Sequence, residues 1–130
     1  MRKAILLMLL AVVSSSAAAE WVRIGGGGST TTYADPAAVH KVGDIVEMWN
    51  LFDFKAARND YFSPSELLLS QRVNAEYDCK TGRTRIRSIV GHSGSMGTGD
   101  AVYTVFDIGE WEPVPPDTIV RTLWTTACGK

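Results

Sequence analysis

The chain is poor in cysteine and histidine, with two of each in 130 residues. His40 and His92 stand far apart and no other residues complete a ligand set of recognisable spacing, so no metal is expected. The spacing of Cys79 and Cys128 excludes a CxxC redox pair. Neither glycine cluster ends in Gly-Lys-Ser/Thr or opens a helix, so no nucleotide cradle is expected. Gly-x-Ser-x-Gly is missing as well, and with it the nucleophile elbow of the hydrolases. No apolar run reaches the roughly 20 residues of a membrane-spanning helix. Basic residues are not in excess, which argues against nucleic acid as a partner. Internal repeats and coiled-coil heptads are lacking too. No cofactor follows from any of these patterns.

What is present begins with an export signal. Arg2 and Lys3 precede an apolar run over residues 4–13, and small residues lead to Ala17-Ala18-Ala19. This three-part pattern predicts a signal peptide of residues 1–19, cleaved before Glu20. A lipid anchor would need a cysteine where Glu20 stands, so no direct membrane anchor is expected, and the product should be periplasmic, secreted or held at the cell surface. Residues 20–130 form one domain by length. They carry eleven basic and fourteen acidic side chains, a formal charge of −3. In an exported chain an even cysteine count predicts a Cys79–Cys128 disulfide, the alternative being two buried free thiols.

The fold class expected is α+β, mainly β. Residues 21–24 read as a short strand running into Gly25-Gly26-Gly27-Gly28, a stretch too flexible for regular structure. Residues 29–33 read as its partner, stopped by Ala34-Asp35-Pro36. Residues 45–54 carry apolar side chains on both parities, Val46, Met48, Phe52 and Phe54 against Ile45, Trp49 and Leu51, which predicts a central strand covered on each side. Residues 55–65 read as a polar loop that carries Tyr61 and Phe62. Val73, Ala75, Tyr77 and Cys79 alternate with polar residues, a strand with one wet face and Cys79 pointing inward. A hairpin turn at Lys80-Thr81-Gly82-Arg83 leads to a return strand in which Ile86, Ser88 and Val90 share one face. Residues 91–100, from Gly91 to Asp100, hold four glycines and read as a loop; residues 101–108 read as a last strand. Pro113, Pro115 and Pro116 forbid pairing and set up a C-terminal helix with Asp117 as N-cap and Ile119, Val120, Leu123, Trp124 and Ala127 as its apolar stripe.

Three groups of residues bear on chemistry. His92 beside Ser93 and Ser95 in the glycine loop is the one arrangement that could serve a small hydrolase, although neighbours in a loop do not by that fact form a nucleophile and base. Arg83, Arg85 and Arg87 form a basic ladder whose simplest reading is cross-strand pairing with Glu76 and Asp78, the other being contact with an acidic partner. Tyr61 and Phe62 are loop aromatics suited to partner contact. Tyr61, Phe62, Arg85 and Arg87 are therefore the candidate binding residues, and Cys79 and Cys128 the structural pair.

Several short segments, in order along the chain, carry a resemblance. They are Trp21-Val22-Arg23-Ile24-Gly25, Thr32-Tyr33-Ala34-Asp35-Pro36, Val46-Glu47-Met48-Trp49-Asn50-Leu51-Phe52-Asp53-Phe54, Glu76-Tyr77-Asp78-Cys79, Ser95-Met96-Gly97-Thr98-Gly99, Trp111-Glu112-Pro113-Val114 and Cys128. Over residues 21 to 128 the sequence resembles the surface-adhesin protein E-like family of Gram-negative envelope proteins. That resemblance implies an antiparallel sheet of about six strands, with a C-terminal helix on one face tied by a disulfide. It also implies binding to host matrix or plasma proteins. The function expected is a non-enzymatic exported protein-binding module whose partner is a host matrix or envelope protein. The apolar second face of the central strand would supply a partner or homodimer surface. A periplasmic structural or small-ligand-binding protein is the alternative, and a small hydrolase using the 91–100 loop ranks below it.

Overall fold

The computed structural model describes residues 19–106 and 109–130, so the export signal and its cleavage site lie outside the described residues except for Ala19 and Glu20. Among the described residues the chain forms one antiparallel sheet and one α-helix. The strands are β1 (Val22–Gly27), β2 (Thr30–Ala34), β3 (His40–Val42), β4 (Ile45–Asp60), β5 (Ser63–Asp78), β6 (Arg83–His92), β7 (Ala101–Val105) and β8 (Glu112–Pro113), followed by α1 (Ile119–Cys128). The order β1-β2-β4-β5-β6-β7 is the expected six-strand sheet. Two short additions make eight: β3 pairs with β4, and β8 with β6.

Register assigns the faces. Met48 lies opposite Ala75, Val46 opposite Tyr77 and Ala34 opposite Asn50, so these side chains share one face. There α1 brings Leu123 and Trp124 onto Ala34, Met48, Ala75 and Tyr77, with Val114 completing the buried cluster. The disulfide joins Cys79, just beyond β5, to Cys128 at the helix end, with Cα atoms 5.6 Å apart. Trp124 adds an indole N–H bond to the Asp78 carbonyl, 3.0 Å long. The alternation read from Val73 to Cys79 thus does place the cysteine on the helix face.

The far face is covered as well. Leu51 is fully buried there, with a Leu51 methyl 3.5 Å from where a Cβ on Gly97 would stand. The glycine loop is stapled down by two polar side chains. The Ser70 hydroxyl donates to the Gly94 carbonyl at 2.7 Å and accepts from the Gly97 N–H at 2.8 Å. The Asp53 carboxylate accepts from the Met96 N–H at 2.7 Å. Trp49 stays half-buried, with the Arg72 guanidinium over its ring. The broad open apolar patch expected on this face is therefore reduced, because the loop closes over Leu51.

Several local expectations are corrected, beginning with two at the sheet's margin: Pro113 of β8 does pair, facing Arg83, and Gly91 and His92 close β6 instead of opening the loop. Gly25, Gly26 and Gly27 belong to β1 rather than to an irregular stretch; they pair with β2 across a bulge between Arg23 and Gly25. Absent side chains there make room: a Cβ on Gly25 would lie 2.8 Å from Ile119 of the helix. Residues 55–60 and 63–65 are strand, not loop, because β4 and β5 continue as a long hairpin in which residues 55–59 and 64–67 are exposed on both faces, a pattern that hides strand periodicity. The last strand stops at Val105, and residues 107–108 fall outside the described set. In β6 a bulge lets Ala75 face Ile86 while Asn74 faces Ser88. Ile86 and Ile89 then share the helix-bearing face, and Ser88 and Val90 turn away. Finally, Thr118 caps the helix, its hydroxyl accepting from the Arg121 N–H at 3.2 Å, while Asp117 stands one residue earlier at φ +59°.

Candidate functional site

The long β4–β5 hairpin turns at Tyr61 and Phe62. Beyond Asp53 and Ser70, the last positions at which β4 and β5 pair continuously with each other alongside the neighbouring strands, the two arms are joined irregularly, at Arg58 with Leu68 and Asp60 with Ser63. Irregular pairing increases bend and twist, and the side-chain bonds show where the tip goes. Gln71 lies opposite Phe52, yet its amide donates at 2.7 Å to the carboxylate of Asp60, eight residues farther along β4. The tip therefore folds back over the sheet.

Tyr103 of β7 holds it there. Its phenol donates to Asp60 Oδ2 at 2.6 Å and accepts from Gln71 Nε2 at 2.7 Å, while Asp60 Oδ1 accepts from the Phe62 N–H at 2.9 Å. Burial and then the bond to the Asp60 carboxylate push the Tyr103 phenol up to about 12, so it remains a donor at neutral pH. The Phe62 and Tyr103 ring centroids are 5.5 Å apart, and Tyr61 meets Phe62 edge to face at 5.1 Å. Arg58 lies 3.6 Å above the Phe54 ring and braces one arm. At the turn itself the Ser63 hydroxyl and the Asn59 amide both donate to the Glu66 carbonyl. The result is a pair of aromatic side chains, Tyr61 at 89 % and Phe62 at 42 % exposure, presented on a braced tip.

The other sequence candidates lie apart from it. Arg85 donates to Glu76 Oε1 at 2.7 Å and Arg87 to Oε2 at 3.1 Å, with Arg87 also 3.9 Å from Glu47. The Arg85 guanidinium stacks over Trp111, 4.5 Å from its centroid. Both arginines are thus committed to the cross-strand pairing that was their simpler reading, and the structure does not bring them to Tyr61 and Phe62. His92 is buried and accepts from Arg72 Nε on Nε2 at 2.8 Å. Burial, then the Arg72 charge, hold its imidazole below the ordinary range, with the Gly99 backbone acting the other way. The Ser93 hydroxyl accepts from the Asp100 N–H at 2.9 Å. These bonds tie His92 to β5 and Ser93 to the far end of the loop. Among the described residues no group of three or more His, Cys, Asp or Glu could hold a metal ion.

Sequence reasoning missed Tyr103, Asp60 and Gln71, which come together from three strands. One signal was legible in part: Gly91 interrupts an otherwise β-rich run, and glycine inside a strand marks a close approach.

Comparison with known proteins fits this architecture. The chain superposes on the crystal structure of Haemophilus influenzae protein E with a TM-score of 0.67 and 14 % identity, over 92 % of this chain and 91 % of that one. Protein E from non-typeable Haemophilus influenzae gives 0.61 at 16 % identity, over 88 % and 76 %. A second crystal form of the Haemophilus influenzae protein gives 0.62 at 16 %, over 75 % and 80 %. Identities this low show a shared fold. A search of curated sequences found no match. The sequence profile described as surface-adhesin protein E matches residues 21–129, nearly all of the described chain; the chain belongs to the surface-adhesin protein E family.

Proposed function

We propose that residues 20–130 form a single exported, non-enzymatic module that binds a protein partner through the β4–β5 hairpin tip. The observation that carries this reading is the exposed pair Tyr61 and Phe62, in which Phe62 is held from below by Tyr103 and Asp60 and Tyr61 packs edge to face on Phe62. Rigid aromatic side chains supply contact area at low entropic cost, which is why tyrosine anchors so many interfaces. Family membership supports an adhesin-like surface protein, and the partner class is a host matrix or envelope protein. The N-terminal pattern supports cleavage before Glu20. Among the described residues no helix is long and apolar enough to cross a membrane.

The test is surface binding of the mature protein to immobilised basement-membrane extract, plasma and envelope extract, beside the Tyr61→Ser/Phe62→Ser variant. A loss of tenfold or more in the variant, with an unchanged unfolding midpoint, supports the tip as the anchor. Equal binding by both proteins refutes it.

A second reading rests on β7. Ala101-Val102-Tyr103-Thr104-Val105 pairs with β6 on one side, and no described strand pairs with the other. An edge without charge or proline leaves unpaired N–H and C=O groups as a template for strand addition. A homodimer joined through β7 would show as twice the monomer mass in solution and be lost in Val102→Pro or Thr104→Pro.

A further inference from the structure

The helix-bearing face is not fully covered. Toward β1, β2 and β4 the helix packs on the sheet, but over β5 and β6 a cavity of about 490 Å³ remains. Val73, Ala75, Ile86 and Ile89 floor it, while Val120 and Leu123 of α1 form one wall. Its size falls in the range of small-ligand sites, roughly 300–1,000 Å³, and its lining is mainly apolar, as theirs are.

The segment that closes the opposite wall is pinned in place. Gly109 donates its N–H to the Ile86 carbonyl at 2.8 Å, β8 pairs with Arg83 and Thr84, and the Val114 N–H reaches the Gly82 carbonyl at 3.0 Å. This segment contributes Glu110 and Glu112 to the cavity edge. Both are exposed, and neither has an ion-pair partner among the described residues. Arg85, the one basic residue in the lining, is held by Glu76 and Trp111. The rim is acidic around an apolar hollow. Asn50 and Tyr77 also line it, joined by a 2.7 Å bond from the Asn50 amide to the Tyr77 hydroxyl. Asn50 Oδ1 is buried without a hydrogen-bond partner among the described residues.

We propose that this cavity binds a small amphiphilic cation, an apolar body of about ten carbons lying over Val73, Ile86 and Ile89 with an ammonium head between Glu110 and Glu112. Apolar area supplies the affinity and the two carboxylates the selectivity. A carboxylate-headed ligand of the same length meets two like charges and no free cation. The cavity meets the brace of the hairpin tip at Gln71 but takes neither Tyr61 nor Phe62 into its lining, so ligand titration and partner binding are read from different residues.

Isothermal titration of the disulfide-intact protein with decylammonium, decanol and decanoate, each below its micelle-forming concentration, tests it. The expected order is decylammonium, then decanol, then decanoate, with one-to-one saturation for the amine. Glu110→Gln/Glu112→Gln should weaken decylammonium about fivefold, as loss of exposed charge pairs does, and leave decanol unchanged. Ile86→Trp, at a partly exposed floor position, should fill the hollow and abolish all three. Decanoate binding as tightly as decylammonium, saturation undiminished in Ile86→Trp, or no saturable heat with any probe would overturn the proposal. Should Ile86→Trp fail to fold, the glutamate variant decides it: decylammonium binding as tightly to Glu110→Gln/Glu112→Gln as to the parent would overturn the proposal.

Discussion

The ring of Tyr103 lies over Gly91, the residue opposite it in the β6–β7 ladder: a Cβ built on Gly91 would collide with Cε2 and Cζ of that ring. An aromatic side chain lying over a cross-strand glycine is a known way to fill the gap the glycine leaves. Here it has a second effect. By lying over Gly91 the ring reaches past β6 to Gln71 of β5 and Asp60 of β4, and so holds the hairpin tip.

Gly91→Ala should therefore cost about 2 kcal/mol, as overpacking of a close contact does, and should also loosen Tyr61 and Phe62. Gly25→Ala offers a contrast. Its new methyl meets only the terminal carbon of Ile119, the movable end of a flexible side chain, so stability should stay within about 1 kcal/mol of the parent. Denaturant unfolding of the two variants checks the difference, and equal losses would contradict it.

The helix start offers a second contrast. Removing the capping hydroxyl in Thr118→Ala should cost about 1 kcal/mol. Asp117 makes no cap, and its positive φ suits glycine, so Asp117→Gly should leave stability within about 0.5 kcal/mol. The reverse ranking in unfolding midpoints would restore Asp117 as the cap.

Cys79 and Cys128 close a loop between positions 49 apart in sequence. In the chain-entropy model such a loop stabilises by about 4 kcal/mol, and its absence frees the end of α1 from the sheet. Cys79→Ala/Cys128→Ala should lower the guanidinium midpoint accordingly. Trp124, packed beside the joint, should report the loosening as a red-shifted emission at denaturant concentrations where the parent is still native.

His92 makes stability depend on pH. Its imidazole titrates below the unfolded value of 6.5, because burial and Arg72 disfavour the imidazolium. A depressed folded value means the unfolded chain takes up the proton first. The histidine's contribution is thus complete above pH 6.5 and is lost as pH falls through the folded value. His92→Gln should flatten the fall in unfolding free energy between pH 7.5 and 5. An equally steep fall in the variant would assign the acid sensitivity elsewhere.

Much of the fold is local and could be read from the chain. Alternation from Val73 to Cys79 assigned the inward cysteine, the double-sided apolar run at residues 45–54 announced a strand covered on both faces, and the prolines near residue 115 marked the helix start. These readings hold because periodicity and backbone restriction act between near neighbours. The candidate binding aromatics Tyr61 and Phe62 were also visible, though as part of a loop. What surrounds them was not: residues 55–59 and 64–67 are exposed on both faces and carry no period-2 signal, and the bulge in β6 shifts parity without any mark in residue type.

By itself the sequence determined the central strands, the C-terminal helix, the inward Cys79 and the neighbouring aromatics Tyr61 and Phe62. Only the tertiary structure decided that the hairpin folds back, that Tyr103 crosses Gly91 to reach Asp60, and that Glu110 and Glu112 border a hollow beside α1. Each of these depends on which strands become neighbours and in what register, and register is settled by the summed packing of both sheet faces rather than by any one segment.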